Sequence, residues 1–267
     1  MAKFKIQMRG RVYSRWPEEK KDDEIELARC LFRRGDSEFQ FTVETYVDAI
    51  SKDDAENLGR ERCIIATDLF SFLIGDRPNQ NAANLDLTQI SRWSLDDEDR
   101  TKTCSLNYNM ACSIVNPVPL SKEQFDAINL AENAIHEFKD ESNSLLRSIR
   151  WRALGQQDFE DKLDRFTKLY ISLETLAGNE NKIPKILHEI YPDADIDKLR
   201  EFNNTLKEVR SVIFHEGARQ QEEIGRLMKK PKKVDFNVCL DLLERVLFDM
   251  LRHKLNLPQK YLLKKYL

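Results

Sequence analysis

The sequence predicts an α+β protein in which a small antiparallel sheet with one covering helix is followed by an all-α helical bundle. Apolar and polar residues alternate in several segments before residue 118, whereas apolar residues recur at three- and four-residue spacing after it. Pro117 and Pro119 separate the two patterns. We therefore predict an N-terminal α+β domain over residues 1–118 and a helical bundle domain over residues 119–267.

Alternation with a period of two predicts the strands. Phe4, Ile6 and Met8 alternate with polar residues at the start of the chain. The alternation recurs in four further segments, at residues 25–34, 39–47, 85–95 and 104–114. This pattern is typical of strands with one buried and one solvated face, which favours antiparallel pairing.

Helix boundaries are predicted by capping residues. Ser51 is suited to the N-cap of a helix, Asp53 and Asp54 to its positive end, and Gly75 to its termination. The segment from Ser121 has the sequence of a capping box and opens the first bundle helix. Four amphipathic helices are predicted in the bundle, at residues 121–141, 158–178, 195–217 and from 235 to at least 251.

Composition and glycine spacing exclude several classes of protein. The 267 residues include 43 Lys and Arg and 46 Asp and Glu, and the formal net charge of −3 argues against a globally basic nucleic-acid coat protein. No two glycines are separated by a single residue, so the dinucleotide fingerprint and the kinase glycine loop are absent. No Cys or His motif of a zinc site occurs, and we expect neither a metal nor a cofactor.

No signal peptide and no apolar segment of membrane-spanning length is recognisable. We therefore expect a cytoplasmic protein without a membrane partner.

Arg210 and His215 are the candidate catalytic residues, at the C-terminal end of the third bundle helix. Positions five apart on an ideal helix point about 140° away from each other, so the spacing alone does not place both on one face. Ser211, four residues before His215, shares the face of that histidine and is a candidate supporting residue. Two interpretations stay open, a catalytic pair or two surface residues that cap the last helical carbonyls.

Glu174 is a second candidate supporting residue. It follows Tyr170 by four positions and Phe166 by eight, which places it on or beside a buried stripe, where a carboxylate requires a cation or hydrogen bonds. Arg210 follows the apolar Leu206 by four positions and is the predicted partner. A structural salt bridge and a support for catalysis are both open interpretations of this pair.

Positive charge is concentrated near the C-terminus. Residues 226–267 contain eleven Lys or Arg and four acidic residues, a net charge of +7. The densest part is the predicted loop with Lys229, Lys230, Lys232 and Lys233. These lysines are suited to tracking the phosphate backbone of RNA, and the alternative is a solvated loop between helices.

These residues resemble the HEPN superfamily, specifically the Apea-like HEPN proteins of bacteria. The segment from Arg210 to His215, followed by Glu216 and Gly217, is similar to the family's Rx4–6H motif. Residues 165–174, with the acidic residue at their end, resemble the family's upstream helix. The resemblance covers the helical part from about residue 121 onward. One position departs from the family, because Ser211 stands where active members usually have Asn, Asp or His.

The resemblance implies a metal-independent endoribonuclease formed as a homodimer through the bundle, with two Arg–His pairs meeting on a two-fold axis. His215 is then the general base or acid, and Arg210 stabilises the phosphorane-like transition state. The products are a 2′,3′-cyclic phosphate and a 5′-hydroxyl. A toxin-like or phage-defence effector is implied, with RNA as substrate and an unidentified activator or phage component as trigger. The N-terminal domain, residues 1–118, is then a sensor or regulatory domain.

The alternative is a non-catalytic HEPN dimerisation module that binds RNA or a partner protein. Ser211 favours this alternative, whereas the presence of both Arg210 and His215 favours the enzyme. A metal-dependent nuclease is disfavoured because the sequence shows no cluster of carboxylate ligands.

Overall fold

The computed structural model describes residues 1–12, 24–35, 39–75, 77–95, 121–136, 144–157, 161–215, 223–224 and 235–264. It confirms the predicted fold class, an N-terminal antiparallel sheet followed by a helical region. The strands are β1 (Ala2–Val12), β2 (Ile25–Leu27), β3 (Cys30–Arg34), β4 (Gln40–Ala49) and β5 (Ala83–Ser94). The helices are α1 (Lys52–Ile74), α2 (Lys122–His136), α3 (Ser144–Gln157), α4 (Lys162–Ala177), α5 (Ile183–Ile190), α6 (Ile196–His215) and α7 (Phe236–Lys254).

The five strands form one antiparallel sheet in the order β2-β3-β4-β1-β5. Phe4, Ile6 and Met8 of β1 are buried, as the alternation predicts. Helix α1 packs closely against β1, where Gly59 meets Ile6, and a Cβ atom added at Gly59 would lie 2.3 Å from the Ile6 side chain. Glycine is therefore required at this contact between helix and sheet.

The other strand predictions that fall on described residues are confirmed, one of them with a subdivision. The segment at residues 25–34 forms β2 and β3, because Ala28 and Arg29 adopt positive φ angles of 50° and 62° and turn the chain back on itself. The segments at residues 39–47 and 85–95 form β4 and β5. The predicted strand at residues 104–114 lies outside the described residues.

The capping predictions for α1 and α2 are also confirmed. The Ser51 hydroxyl accepts a hydrogen bond from the Asp54 backbone N–H, and α1 ends before Gly75, whose φ of −77° is not left-handed. At the start of α2, Ser121 N–H donates to Gln124 Oε1 at 2.6 Å, and Gln124 N–H donates to Ser121 Oγ at 3.3 Å.

The chain forms two compact units, residues 1–76 with 81–139 and residues 77–80 with 140–267. Helix α2 belongs to the first unit, whereas the sequence boundary at residue 118 assigned it to the bundle. Helix α2 joins the first unit because it packs on α1, where Gln124 Nε2 donates a hydrogen bond to the Ile74 carbonyl at 2.5 Å. The sequence does not reveal this contact between distant parts of the chain.

The second unit contains helices α3 to α7. Helices α4, α6 and α7 were predicted, although α4 begins after the N-cap Asp161 and not at Asp158. It ends at Gly178, which has the left-handed φ of 69° typical of a helix terminator. Helices α3 and α5 were not predicted. No helix of the described residues is long and apolar enough to cross a membrane.

Two buried acidic residues join the elements of the second unit. Glu244 on α7 forms an ion pair with Arg165 on α4, and burial raises the pKa of Glu244 in spite of that partner. Asp249 is fully buried and accepts hydrogen bonds from the Tyr191 hydroxyl and from the Leu262 backbone N–H. Asp249 therefore fixes the segment after α7 to the residue that follows α5.

Candidate functional site

Helix α6 carries the predicted catalytic pair. Its N-terminus is capped by Asp195, whose Oδ1 accepts a hydrogen bond from the Asp197 N–H at 2.8 Å. Its inner face buries five residues, Leu199, Asn203, Leu206, Val209 and Val212. The helix continues to His215, so the divergence of about 140° between Arg210 and His215 applies to this chain. Arg210 is half-buried and His215 is exposed.

The Arg210 guanidinium lies between two aromatic rings. Its Cζ atom is 5.8 Å from the ring centroid of Tyr170 on α4 and 5.4 Å from that of Phe214 on its own helix. Tyr170 is fully buried, whereas Phe214 is 49% exposed. Cation–π attraction holds a guanidinium over such rings without consuming its N–H donors. Arg210 forms no ion pair with any described residue.

A hydrogen-bonded network lies next to Arg210. The Tyr170 hydroxyl donates to Glu180 Oε2 at 3.1 Å, and Lys207 Nζ lies 3.1 Å from Glu180 Oε1. Burial, reinforced by the adjacent Glu180 carboxylate, raises the pKa of Tyr170. Burial acts to raise the pKa of Glu180 as well, but hydrogen bonds from Lys207 and Tyr170 and the charges of Lys207 and Arg210 outweigh it, so the pKa of Glu180 is lowered. Tyr170 is therefore a neutral donor and Glu180 an ionised acceptor at neutral pH.

Glu174 does not form the predicted ion pair with Arg210. It is half-buried on α4, and neither residue has an ion-pair partner in the part of the chain that the structure describes. The guanidinium stacks on aromatic rings instead, and the acidic residue whose pKa it lowers is Glu180. Sequence reasoning missed Glu180 because it lies in a short 3-10 turn, Glu180–Lys182, outside every predicted helix.

The other predicted site residues are only partly described. Ser211 is half-buried, one position after Arg210 on α6. Lys229, Lys230, Lys232 and Lys233 lie outside the described residues. Within the described ranges, no three His, Cys, Asp or Glu residues are grouped so that they could hold a metal ion. The candidate site therefore consists of Arg210 with the rings of Tyr170 and Phe214, the Tyr170–Glu180–Lys207 network and the exposed His215.

Comparisons with known proteins add no relative. No protein-family model matches the chain, and neither a curated protein nor a solved structure matches it. The HEPN resemblance therefore rests on the sequence motifs alone.

Proposed function

We propose that the protein is a metal-independent endoribonuclease of the HEPN type, with its active site shared by two copies of the chain. The observation that supports the proposal is the state of Arg210. Its guanidinium is held over the buried ring of Tyr170 and has no carboxylate partner among the described residues, near the helix end that carries the exposed His215. The planar N–H donors of a guanidinium match the geometry of a phosphate group.

The reaction uses the nucleophile that RNA itself carries. The ribose 2′-oxygen attacks the adjacent phosphorus, and the P–O5′ bond breaks. One His215 imidazole takes the proton of the 2′-hydroxyl, and a protonated His215 gives a proton to the departing 5′-oxygen. Arg210 stabilises the additional negative charge on the phosphate oxygens in the transition state. The products are a 2′,3′-cyclic phosphate and a 5′-hydroxyl.

A second copy of the chain supplies the histidine, because Arg210 and His215 of one copy do not point to the same phosphate. Because α6 is regular to His215, Arg210 and His215 of one chain leave the helix in directions that differ by about 140°. Two chains related by a two-fold axis bring two arginines and two histidines to one site. The two histidines then divide the roles of base and acid.

The first experiment is incubation of purified protein with end-labelled RNA in EDTA. We expect cleavage by the wild type and a loss of at least 100-fold in Arg210→Ala and in His215→Ala, a loss typical of removing a general acid–base group. Arg147→Ala and His188→Ala are matched controls, since both side chains are exposed in the same unit. The ends produced should be cyclic phosphates and 5′-hydroxyls.

Activation by a cellular component is covered by a parallel test in cells. The wild type and the His215→Ala and His188→Ala variants are expressed, and growth and 5′-hydroxyl RNA ends are measured. Growth arrest with new RNA ends in the wild type and in His188→Ala, but not in His215→Ala, supports an effector that cleaves RNA. Unchanged RNA both in the purified assay and in cells contradicts the proposal.

A non-catalytic module that binds RNA or a partner protein is the second candidate. The observation that favours it is Ser211, which is half-buried beside Arg210 and lacks the amide or carboxylate that active members of the family place there. Solution mass and RNA affinity distinguish the candidates. A dimer that binds RNA equally well with His215 or Ala at that position, and leaves it intact, is a binding module.

A further inference from the structure

A polar cleft of about 330 Å³ lies between α5 and α6, next to the Tyr170–Glu180–Lys207 network, of which Lys207 also lines the cleft. Its volume is at the lower end of the range for small-molecule sites, roughly 300–1,000 Å³. No Asp or Glu is among its described lining residues, whereas three cationic and three amide side chains are. The polar lining residues are Asn181, Lys185, Arg200, Asn203, Asn204 and Lys207. This composition favours an anionic ligand that also offers hydrogen-bonding groups.

The three cations differ in how far they are neutralised. Lys207 Nζ binds Glu180 and donates to Asn181 Oδ1 at 2.7 Å. Arg200 pairs with Asp197 at 2.9 Å on the exposed surface of α6. Lys185 is exposed and forms no ion pair within the described ranges. The cleft therefore retains positive charge, which an anion at its mouth would compensate.

Asn203 is the second, independent indication of a ligand. Its side chain lines the cleft and is only 3% exposed. Its Nδ2 donates to the Glu180 carbonyl at 3.2 Å, whereas its Oδ1 has no hydrogen-bond partner among the described residues. Buried amide oxygens are rarely left without a donor in folded proteins. A ligand that brings an N–H or O–H group into the cleft would satisfy this acceptor.

We propose that this cleft binds one nucleotide unit of RNA, with its phosphate on Lys185 and Arg200 and a base or ribose donor directed to Asn203. Pro184 and Ile196 provide the apolar part of the lining, against which a planar base can pack. The inference deepens the proposed function and rests on it for the choice of RNA as the source of the nucleotide. A free mononucleotide offers the same chemistry and is separated by experiment.

The cleft lies close to Arg210, so a nucleotide bound there would affect which phosphate reaches Arg210. Lys207 lines the cleft and lies three residues before Arg210, so the two side chains are neighbours on α6. Both act on Glu180, Lys207 by contact and Arg210 by its charge. A nucleotide in the cleft would therefore flank a phosphate at Arg210. The cleft then selects the nucleotide next to the scissile bond.

Binding is measured on the His215→Ala protein in EDTA, so that cleavage does not interfere. The probe is a fluorescein-labelled ten-nucleotide RNA, followed by anisotropy. We expect Lys185→Glu and Arg200→Glu each to raise the Kd at least fivefold, because each reverses a charge in the cleft. Arg147→Glu is the matched control, an exposed charge reversal on α3 that should change the Kd less than twofold. Urea unfolding of each variant verifies that the fold is retained.

Competition identifies the ligand. The four nucleoside 5′-monophosphates and inorganic phosphate are titrated against the bound RNA. Stronger competition by at least one mononucleotide than by phosphate, lost in Lys185→Glu, supports a nucleotide site. Equal competition by phosphate and all four mononucleotides shows an anion site only and overturns the proposal. A mononucleotide that binds the cleft in a protein whose RNA affinity is insensitive to Lys185→Glu identifies a free nucleotide as the ligand and overturns the RNA subsite.

The two proposals fail separately. RNA cleavage by the wild type, combined with RNA binding that responds equally to Lys185→Glu, Arg200→Glu and Arg147→Glu, overturns the cleft and leaves the ribonuclease. Binding that depends on Lys185 and Arg200, combined with RNA that stays intact in the purified assay and in cells, overturns the ribonuclease and leaves the cleft as a nucleotide site. Absence of any RNA or mononucleotide binding overturns the cleft.

Discussion

Tyr170 provides two separable contributions, an aromatic ring beneath the Arg210 guanidinium and a hydroxyl bound to Glu180. Tyr170→Phe removes only the hydroxyl, and Tyr170→Leu removes both. If the ring positions Arg210, then the cleavage rate should fall only when the ring is removed. The free energy of unfolding should fall when either the ring or the hydroxyl is removed. The two variants together test the reasoning on which the site is built.

The magnitudes follow from the contacts. A hydrogen bond to a charged group contributes about 1.5–3 kcal/mol to the free energy of unfolding. Glu180 is 31% exposed, so we expect the lower end, about 1.5 kcal/mol, for Tyr170→Phe. A cation–π contact with a half-buried guanidinium contributes about 1 kcal/mol. Its loss in Tyr170→Leu should lower the cleavage rate about fivefold. The cavity that the smaller side chain leaves should lower the free energy of unfolding by a further ~2 kcal/mol.

The assay combines single-turnover cleavage of RNA with urea unfolding followed by circular dichroism. Tyr170→Phe should cleave at a rate within about twofold of the wild type while losing stability, and Tyr170→Leu should lose both rate and stability. A matched control is Phe166→Leu, because Phe166 stacks on Tyr170 on the same helix at 6.2 Å without contacting Arg210. Equal rate losses in Tyr170→Phe and Tyr170→Leu would refute a positioning role of the Tyr170 ring, since the hydrogen bond of the hydroxyl would then determine the position of Arg210.

Two further predictions concern the stability of the second unit. Burial raises the pKa of Asp249 above its ordinary value of 3.8, so its contribution to the free energy of unfolding is fully present below pH 3.8 and is lost as the pH rises through the raised pKa. Asp249→Asn removes this dependence, and urea midpoints at pH 3.5 and pH 8 should differ less in the variant than in the wild type. An unchanged difference would show that another group is responsible. Gly178→Ala forces a Cβ atom into the left-handed φ of 69° and should lower the unfolding free energy by about 1 kcal/mol, measured as a lower urea midpoint, with Gly178→Asn less affected. Equal midpoints for wild type and Gly178→Ala would contradict the strained cap.

Local chemistry made much of the fold predictable. The alternation at Phe4, Ile6 and Met8 reflects one buried face of a sheet, and the caps at Ser51 and Ser121 reflect hydrogen bonds made within three residues. These signals need no knowledge of distant partners. They specified the fold class and several helix starts correctly.

The two helices that were missed depend on partners far away in sequence. Helix α3 buries the polar residues Ser148, Arg152 and Gln156, and this disguises its apolar periodicity. Ser148 Oγ lies 2.8 Å from the Ser172 carbonyl on α4, and Arg152 donates to the Pro78 carbonyl. Helix α5 has only eight residues, too few for the periodicity to stand out. The burial of these residues becomes explicable only when the partner elements are known.

Only part of the candidate site could be predicted from the sequence. Arg210 and His215 were predicted as a catalytic pair because their segment resembles the HEPN motif, whereas Tyr170 was assigned only to the apolar stripe. Its role beneath Arg210 depends on how α4 and α6 pack, and Glu180 enters through a turn between helices. Sequence spacing identifies which residues share a helix, whereas the pairing of a cation with a ring or an acid is decided between helices.

The regular end of α6 changes what the spacing of Arg210 and His215 means. A helix that unwound after Arg210 could bring both side chains to one phosphate within a single chain. Because α6 stays helical to His215, Arg210 is held half-buried against the Tyr170 ring of α4 while His215 is exposed at the helix end. In the proposed function, a phosphate bound by Arg210 of one copy would therefore use the histidine of another copy for proton transfer. The proposed chemistry thus predicts that a protein held monomeric in solution cleaves no RNA, which sizing of the protein alongside the cleavage assay tests.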